Sequence, residues 1–359
     1  MLALGLMSGT SLDGVDAALV ETDGETIARL GPALTVAYPP RHRDALRSVL
    51  GGAGDVAKVE RAITLFHADV VRQLLAQAEV TAAEVGLIGF HGHTILHRPA
   101  QRQTWQIGDG ALLATETGIA VVNDFRSADV AAGGEGAPLV PVFHRALAAG
   151  LEAPLAILNL GGVGNVTWIG QGGTLLAFDT GPGNALIDDW ALLHTGKPVD
   201  EDGRLAAAGT VALAAVAGFT GHAFFRRPPP KSLDRDDFRA FVRPLVEGLS
   251  PADGAATLTA FTAAALTEAV RHFPAPACRW LVCGGGRHNP GLMAALADAL
   301  DMVVEPVEAV GWNGDALEAQ AFAFLAVRSR RGLPLTFPET TGVTQPLGGG
   351  RFHPVGDLP

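Results

Sequence analysis

The chain has 359 residues, 48% hydrophobic and 18% charged, which is enough for about two globular domains. Lys and Arg number 26 against 37 Asp and Glu, and the net charge of −11 disfavours binding to nucleic acid or to anionic lipid. Two cysteines, Cys278 and Cys283, exclude a disulfide framework and a four-cysteine zinc site. The N-terminal segment lacks a basic region and reaches a carboxylate at Asp13, unlike a signal peptide, so we expect a cytoplasmic protein.

Short apolar strands alternate with glycine-rich turns in the first half of the chain. Strands are predicted at residues 2–7, 15–21, 34–39, 85–90 and 119–122. Apolar residues at helical spacing predict a long helix over residues 56–78, and a shorter one is predicted over 108–116.

The second half begins in the same way. Its predicted strands are 155–160, 166–169, 174–178 and 280–283, and its predicted helices are 185–194, 205–217, 236–247, 255–271, 289–300 and an amphipathic 316–330. Residues 205–225 lack Asp, Glu, Lys and Arg over the length of a membrane span, but their Ala, Gly and Thr favour a buried helix. The order strand, turn, strand, strand, helices occurs twice, which indicates duplicated α/β halves with a cleft between them.

Three glycine-rich turns follow predicted strands and could surround phosphate oxygens with backbone N–H groups. They are residues 8–14, the Gly161-Gly162 turn, and Gly284-Gly285-Gly286 ahead of a helix. Taken alone, each is more typical of an ordinary tight turn. The first is not a Walker A motif, because no Gly-Lys-Ser/Thr follows it.

Asp179 ends a predicted buried strand just before a rigid turn, a position that suits a general base. Capping of the following helix or an Asx turn are alternative roles, although Asn184 is better placed for the cap.

Other polar groups also follow predicted strands. His91 and His93 are predicted to share one face of a strand end, where a metal, a substrate or only structural partners are all compatible. Arg126 could hold a substrate carboxylate or pair with a nearby aspartate. Glu318 is a binding candidate or a solvated helix residue.

A series of motifs, in the same order and over nearly the whole chain, resembles the anhydro-N-acetylmuramic acid kinase family. They are MSGTSLDGVD (7–16), GFHGHT (89–94), FRxxD (125–129), NLGGxxN (159–165), FDTGPGN (178–184), PPKS (229–232), CGGGxxNP (283–290), DxxEA (315–319) and TG (341–342). Leu233-Asp234 stand where the family more often has Thr-Gly after PPKS.

This resemblance implies the actin/hexokinase/Hsp70-like (ribonuclease H-like) α/β fold, with two lobes around five-stranded mixed sheets and ATP in the cleft between them. We place the first lobe at residues 1–130 and 334–359, and the second at 131–333. The resemblance also implies the reaction: 1,6-anhydro-N-acetylmuramic acid, ATP and water give N-acetylmuramic acid 6-phosphate and ADP, with Mg²⁺, in peptidoglycan recycling. A homodimer and no nucleic-acid or membrane partner are expected.

The resemblance also assigns roles to residues. Asp179 would be the catalytic base. The nucleotide-phosphate loop would comprise Gly9, Thr10, Ser11, Leu12, Asp13, Gly14, Val15 and Asp16, and the second-lobe nucleotide contacts would be Gly161, Gly162, Asn165, Gly284, Gly285 and Gly286. The sugar contacts would be Ser11, Asp13, His93, Arg126 and Glu318, and no protein-held metal cluster is expected. Alternatives are a kinase of another amino sugar, an ATP-driven switch, or a glycosidase using Asp179 and a second carboxylate.

Overall fold

The computed structural model describes residues 1–9, 11–234 and 237–356. Its strands are β1 (Leu2–Ser8), β2 (Gly14–Thr22), β3 (Ile27–Ala37), β4 (Leu87–Arg98), β5 (Gln103–Ile107), β6 (Val121–Asn123), β7 (Leu155–Leu160), β8 (Val163–Ile169), β9 (Leu175–Pro182), β10 (Arg279–Cys283), β11 (Val304–Pro306) and β12 (Arg351–His353). Every predicted strand is present, although β3 and β4 are longer than predicted.

Helices of very different lengths connect these strands. They are α1 (Pro40–Val49), α2 (Val56–Ala78), α3 (Gly110–Thr117), α4 (Ser127–Ala131), α5 (Pro141–Leu147), α6 (Ala185–Thr195), α7 (Arg204–Ala207), α8 (Leu213–Thr220), α9 (Ala223–Arg226), α10 (Arg239–Val246), α11 (Pro251–Val270), α12 (Pro290–Leu300), α13 (Leu317–Arg330) and α14 (Pro338–Thr341). Helix α2 has the predicted bounds, and the side chain of Asp55 caps its first turn by accepting from the Lys58 N–H. The predicted start of α10, Asp236, lies outside the described residues.

The chain divides into two compact units, Met1–Ala149 with Asp315–Pro359, and Gly150–Gly314. The boundaries differ from the expected 130/131 and 333/334. Helix α4 packs on β5, and α5 packs on α13, which itself packs on β1, β2 and β4, so all three helices belong to the first unit. Glu318 on α13 is therefore a residue of the first unit.

The sheet of the first unit has the strand order β3-β2-β1-β4-β6, extended by β12 beside β6 and by β5 beside β4. Strands β1, β2 and β3 are antiparallel neighbours, whereas β1, β4 and β6 are parallel. The expectation of a five-stranded sheet is wrong here, because this sheet has seven strands.

The sheet of the second unit has five strands in the order β9-β8-β7-β10-β11. Its strands β7, β8 and β9 are antiparallel neighbours, and β7, β10 and β11 are parallel. The central five strands of the first sheet follow the same order and directions. The duplicated ribonuclease H-like α/β architecture predicted from the sequence is therefore confirmed.

Helix α13 is buried on all sides rather than amphipathic as predicted. All ten of its residues from Ala319 to Arg328 are buried, and its backbone lies directly on the first sheet. A Cβ atom at Gly5 would stand 1.7 Å from the Ala319 oxygen, and one at Gly89 would stand 1.9 Å from the Phe322 oxygen. These glycines in β1 and β4 permit the close helix–sheet contact that fixes the start of α13.

The single buried helix predicted at residues 205–217 is also wrong. The segment forms α7 and α8 with a break between them, and Leu213 in α8 is 77% exposed. A Cβ at Gly209, within the break, would stand 2.1 Å from the Ala252 oxygen, so the chain turns there against α11. Within residues 1–9, 11–234 and 237–356, no helix combines the length and apolar character needed to cross a membrane.

Candidate active site

The turn between β1 and β2 is organised around Asp13. Its Oδ1 accepts from the Ser11 hydroxyl (2.7 Å) and from the Gly14 N–H (2.9 Å). The Leu12 N–H donates to the Gly9 oxygen (3.2 Å), and Leu12 adopts a left-handed φ of 61°. Ser11 and Asp13 are exposed, as expected of ligand-binding groups. Thr10, also predicted here, lies outside the described residues.

Two residues of the predicted phosphate loop have buried side chains. Leu12 is 7% exposed and Val15 is fully buried in the core of the first unit. Neither side chain faces solvent, so these two residues would contribute to ligand binding through their backbone alone.

His93 is fully buried in a chain of hydroxyl groups that the sequence did not predict. Its Nδ1 lies 2.9 Å from the Ser8 hydroxyl, which lies 2.8 Å from the Tyr38 hydroxyl. Its Nε2 has no hydrogen-bond partner among the described residues. Burial lowers the pKa of His93 to about 4, so the ring is neutral at physiological pH. A neutral ring with one unused nitrogen is suited to a sugar hydroxyl or amide.

His91 and His93 do not share one face, contrary to the prediction. The His91 ring packs on Phe322 of α13, whereas His93 bonds Ser8 on the opposite face of the sheet, which α2 covers. Gly92 between them adopts a φ of 74°, and the pairing of β1 with β4 shifts register there. This β-bulge inserts one residue into β4, so the side chains that follow it point to the opposite face from the one expected for a regular strand.

Arg126 is half-buried and held in place by two groups of its own unit. Its Nε and Nη2 donate to His91 Nε2 (3.2 and 3.1 Å), and its Nη1 donates to the Gly136 oxygen (2.7 Å). Burial and the Arg126 charge lower the pKa of His91 well below its usual value, which keeps Nε2 an acceptor. The guanidinium is therefore oriented by partners within its own unit.

The FRxxD and TG motifs meet at Asp129, which is 1% exposed. Its Oδ1 accepts from the Gly136 N–H (2.7 Å) and its Oδ2 from the Thr341 hydroxyl (2.6 Å). Arg126 and Asp129 thus bind the carbonyl and the N–H of Gly136, respectively. This arrangement makes Asp129 and Thr341 structural supports for the loop that orients Arg126.

Four carboxylates of the first unit influence one another: Asp13, Asp16, Asp315 and Glu318. Burial, and then the charges of Asp13 and Asp315, raise the pKa of Asp16 to about 6, against a hydrogen bond from the Thr35 hydroxyl (2.6 Å). Burial and the Asp16 charge raise the pKa of Glu318, and the Arg126 charge opposes them. Glu318 is half-buried and so differs from the fully solvated helix residue of the alternative interpretation. The cluster favours a bound cation or hydroxyl donors.

Replacing Asp16 with asparagine should raise the melting temperature at about pH 7.5, and the gain should shrink as the pH falls towards 4. The folded pKa of about 6 lies above the ordinary 3.8, so the ionisation of Asp16 between these values costs stability as the pH rises. Thermal denaturation across this range is the measurement, with the exposed Asp44→Asn as the control. A pH-independent gain, or a loss at pH 7.5, would contradict the raised pKa of Asp16.

A row of polar residues crosses the sheet of the second unit. Cys283, Asn159, Asn165 and Asp179 stand directly opposite one another on β10, β7, β8 and β9. Directly paired residues lie on the same face of a sheet. Asn165 Oδ1 is buried and has no hydrogen-bond partner among the described residues. Asn165, predicted on the nucleotide side, therefore lies beside Asp179, where it could accept a hydrogen bond from a ligand or from water.

Asp179 is 7% exposed and is bound by the segment that follows the PPKS prolines. Its N–H donates to the Lys231 oxygen (2.9 Å), and its Oδ2 accepts from the Leu233 N–H (2.8 Å). Leu233 is one of the two residues that differ from the family pattern, and it contacts Asp179 through its backbone N–H. A leucine supplies the same N–H as any other non-proline residue, so the contact with the carboxylate is preserved.

The glycine turns of the second unit are joined through Asn184. The N–H groups of Gly183 and Asn184 donate to the oxygens of Gly162 (3.0 Å) and Gly161 (2.8 Å), respectively. The Asn184 Nδ2 donates to the Leu160 oxygen (3.0 Å). The predicted cap role of Asn184 is wrong, because its side chain makes no cap hydrogen bond to α6. Asn184 instead connects the turn after β7 to the turn after β9.

Six of the seven predicted glycines fall into two physical groups. A Cβ atom at Gly14, Gly284 or Gly286 would stand 2.5, 2.3 or 2.6 Å from other atoms of the same unit, and Gly284 also has a left-handed φ of 76°. At Gly9, Gly161 and Gly285, by contrast, an added Cβ would meet no atom closer than 3.5 Å. The fold requires the first group, whereas only approach by another molecule would require the second.

Among the residues that the structure describes, no three His, Cys, Asp or Glu side chains are grouped so that they could hold a metal ion. A Mg²⁺ that accompanies a nucleotide needs only one or two carboxylates, because phosphates and waters complete its shell. The Asp13 and Asp16 carboxylates fit that role.

The comparisons with known proteins concern nearly the whole chain. The family model described as anhydro-N-acetylmuramic acid kinase matches residues 1–354. The chain belongs to this family. A relative named anhydro-N-acetylmuramic acid kinase from Paramagnetospirillum magneticum is 71% identical over 98% of this chain and 99% of its own length. Proteins of the same name from Rhodospirillum rubrum and Rhizorhabdus wittichii are 59% and 56% identical, over 98% of this chain and 94% and 99% of their own lengths. The sequence motifs resemble those of the anhydro-N-acetylmuramic acid kinase family, and these matches confirm that resemblance.

Proposed function

We propose that this chain is an ATP-dependent kinase that converts 1,6-anhydro-N-acetylmuramic acid and water into N-acetylmuramic acid 6-phosphate. The observation that carries the proposal is the 71% identity to a kinase of that name over nearly the full length of both chains. The reaction belongs to the recycling of peptidoglycan and the breakdown of amino sugars.

Asp179 is the general base of the proposed reaction. Its Oδ2 accepts from the Leu233 N–H, which sets the direction of the carboxylate. Asp179 removes a proton from water, and the water oxygen bonds to the anomeric carbon as the bond from that carbon to O6 breaks. The released O6 bonds to the γ-phosphorus of ATP, and the bond to ADP breaks. A positioned base contributes about 10²–10⁴-fold to such a step.

The first unit supplies the sugar contacts. Arg126, oriented by His91 and Gly136, pairs with the lactyl carboxylate through its planar guanidinium. Glu318, Ser11 and Asp13 accept hydrogen bonds from hydroxyls or the acetamido N–H. The family resemblance also assigns the neutral His93 to the same substrate, and its buried Nε2 has no other hydrogen-bond partner among the described residues.

ATP is held by backbone groups of glycine-rich turns. The phosphates lie against Gly9 and the turn that Asp13 organises, and the family resemblance also assigns Gly161 and Gly285 to nucleotide binding. At all three glycines an added Cβ would make only ordinary contacts with the protein, none closer than 3.5 Å. Mg²⁺ bound by Asp13 or Asp16 would neutralise phosphate charge during transfer.

The working state is a homodimer in the cytoplasm, where ATP is available. This part of the proposal follows the family resemblance and is compatible with the exposed apolar side chains of Leu193 and Leu213 in the second unit, 76% and 77% exposed. Light scattering should give twice the mass of one chain, and a monomer at micromolar concentration would contradict it.

Sugar-dependent ADP release tests the proposed function. Purified protein is assayed with Mg²⁺–ATP alone and then with 1,6-anhydro-N-acetylmuramic acid, N-acetylmuramic acid or N-acetylglucosamine. We expect ADP and N-acetylmuramic acid 6-phosphate in equal amounts with the anhydro sugar. Faster release with a free sugar would identify a kinase of another amino sugar. Ring opening without ATP would identify a glycosidase.

Replacing Arg126 with alanine should lower kcat/KM for the anhydro-muramic sugar by about 10- to 150-fold. This corresponds to about 1.5–3 kcal/mol for lost charge-assisted hydrogen bonds. Turnover of 1,6-anhydro-N-acetylglucosamine, which lacks the lactyl group, should change much less. The exposed Arg98→Ala is the control. Equal losses on both sugars would show that Arg126 acts by supporting the Gly136 loop.

A further inference from the structure

Lys231 carries a buried charge that the proposed reaction leaves unexplained. It belongs to the PPKS motif, and only 2% of its surface is exposed. Burying an ammonium group is costly unless it is fully paired. Lysine side chains in folded proteins usually lie at the surface, as that of Lys197 does in the same unit.

The ammonium group of Lys231 is bound by the end of α9 and by the segment after α11. Its Nζ donates to the oxygens of Phe224 (3.1 Å) and Phe225 (3.5 Å) and lies 3.5 Å from His272 Nε2. It also lies 4.5 Å from the centroid of the Phe224 ring, a cation–π distance. The Phe224 oxygen also accepts from the Arg227 N–H (3.1 Å), and the Phe225 oxygen lies 3.2 Å from His272 Nε2, so the ammonium group joins an existing hydrogen-bond network.

Lys231 remains protonated near neutral pH. Burial and the charge of Arg227 lower its pKa to about 8, and Glu268 opposes this shift. The Phe224 and Phe225 oxygens and His272 therefore surround a cation. Together they fix the Lys231 side chain at several points.

The backbone of the same residue holds Asp179. The Lys231 oxygen accepts from the Asp179 N–H, and the Leu233 N–H, two residues later, donates to the Asp179 carboxylate. The Nζ also lies 5.6 Å from the ring of Phe178, the residue before Asp179. Displacement of the Lys231 side chain would thus shift both backbone groups that orient the carboxylate.

We propose that Lys231 is a positioning residue that fixes the direction of the Asp179 carboxylate by pinning residues 231–233 to α9. This inference rests on the proposed function, in which Asp179 is the base. Lys231 touches neither substrate nor water in this role. Its effect is on the chemical step rather than on ligand binding.

A double-mutant cycle tests this role in the full-length protein. The variants are Lys231→Met, which retains the apolar stem without the charge, Asp179→Asn, and both together. Lys231→Gln, which keeps N–H donors for the Phe224 oxygen, tests rescue. Lys197→Met is the matched control. For each we measure kcat, KM for both substrates, their binding by calorimetry, and the melting temperature.

We expect Lys231→Met to lower kcat at least about 10-fold while KM for sugar and ATP changes by less than about threefold. In the Asp179→Asn background the same change should alter the residual rate by less than about twofold, because the base through which Lys231 acts is gone. Lys231→Gln should recover part of kcat. Lys197→Met should match the wild type.

Three results would overturn the role of Lys231: an unchanged kcat, an equal loss in the Asp179→Asn background, or failure of both the Met and Gln variants to fold. The last would assign Lys231 to stability alone. Failure of the proposed function is distinguishable, since the wild-type protein would then show no sugar-dependent ADP release. That result would remove the assignment of Asp179 and, with it, that of Lys231.

Discussion

Asp179→Asn should slow the formation of ADP and of N-acetylmuramic acid 6-phosphate together, by at least about 10²–10⁴-fold. Asparagine keeps the shape of the side chain and can still accept from the Leu233 N–H, which binds Asp179 at 2.8 Å. It cannot take a proton from water. O6 remains part of the anhydro bridge until water attacks, so no acceptor for the phosphate forms.

Parallel detection of N-acetylmuramic acid, its 6-phosphate and ADP is the measurement, with calorimetry to show that ATP and sugar still bind. Asp298→Asn, on an exposed position of α12, is the control in the same unit. Near-normal turnover, or free sugar accumulating without ADP, would contradict a single base that couples ring opening to phosphorylation.

The fold could be predicted where local signals agree with packing. Helix α2 combines apolar spacing with a capping aspartate, and its predicted bounds match the structure. The residues of α13 are apolar on nearly every side, and the charge of Arg328 in its last turn is buried by donating to the Pro334 and Gly24 oxygens. The Gly24 partner is 304 residues away in the sequence, so the local pattern of α13 does not reveal that the Arg328 charge is buried. The bulge at Gly92 was missed for the same reason, because it depends on pairing with β1.

The site could be predicted by residue type more readily than by role. The motif positions include Asp129 and Thr341, but the structure places both beneath the Gly136 loop, where they support it. Nothing in the sequence distinguishes these supports from Arg126, whose guanidinium they help to orient. Ser8 lies inside the first motif, yet its bond to His93 depends on the pairing of two strands. The structure therefore adds the partners through which predicted residues are held.

Among the glycines of the candidate site, those that the fold requires can be distinguished from those that only a bound ligand would require. A side chain at Gly14 would meet the Val36 oxygen at 2.5 Å, so any substitution there damages the sheet. At Gly9 the nearest atom to an added Cβ is the Ser11 hydroxyl oxygen at 3.5 Å, an ordinary contact. A substitution at Gly9 is therefore compatible with the fold, and its effect would report on whatever occupies the space beside the loop.

Gly9→Val should weaken ATP binding by at least about 100-fold while the melting temperature changes little. The isopropyl group would occupy the space proposed for phosphate oxygens and separate them from the backbone N–H groups of the turn. A 100-fold weaker affinity corresponds to about 2.7 kcal/mol of binding free energy, which is the contribution of one or two charge-assisted hydrogen bonds. Calorimetric titration with ATP is the measurement, and sugar binding is followed in parallel. Gly348→Val is the matched control, because a Cβ there would likewise meet no atom closer than 3.5 Å. Unchanged ATP affinity in a folded Gly9→Val protein would show that phosphates do not lie against this turn.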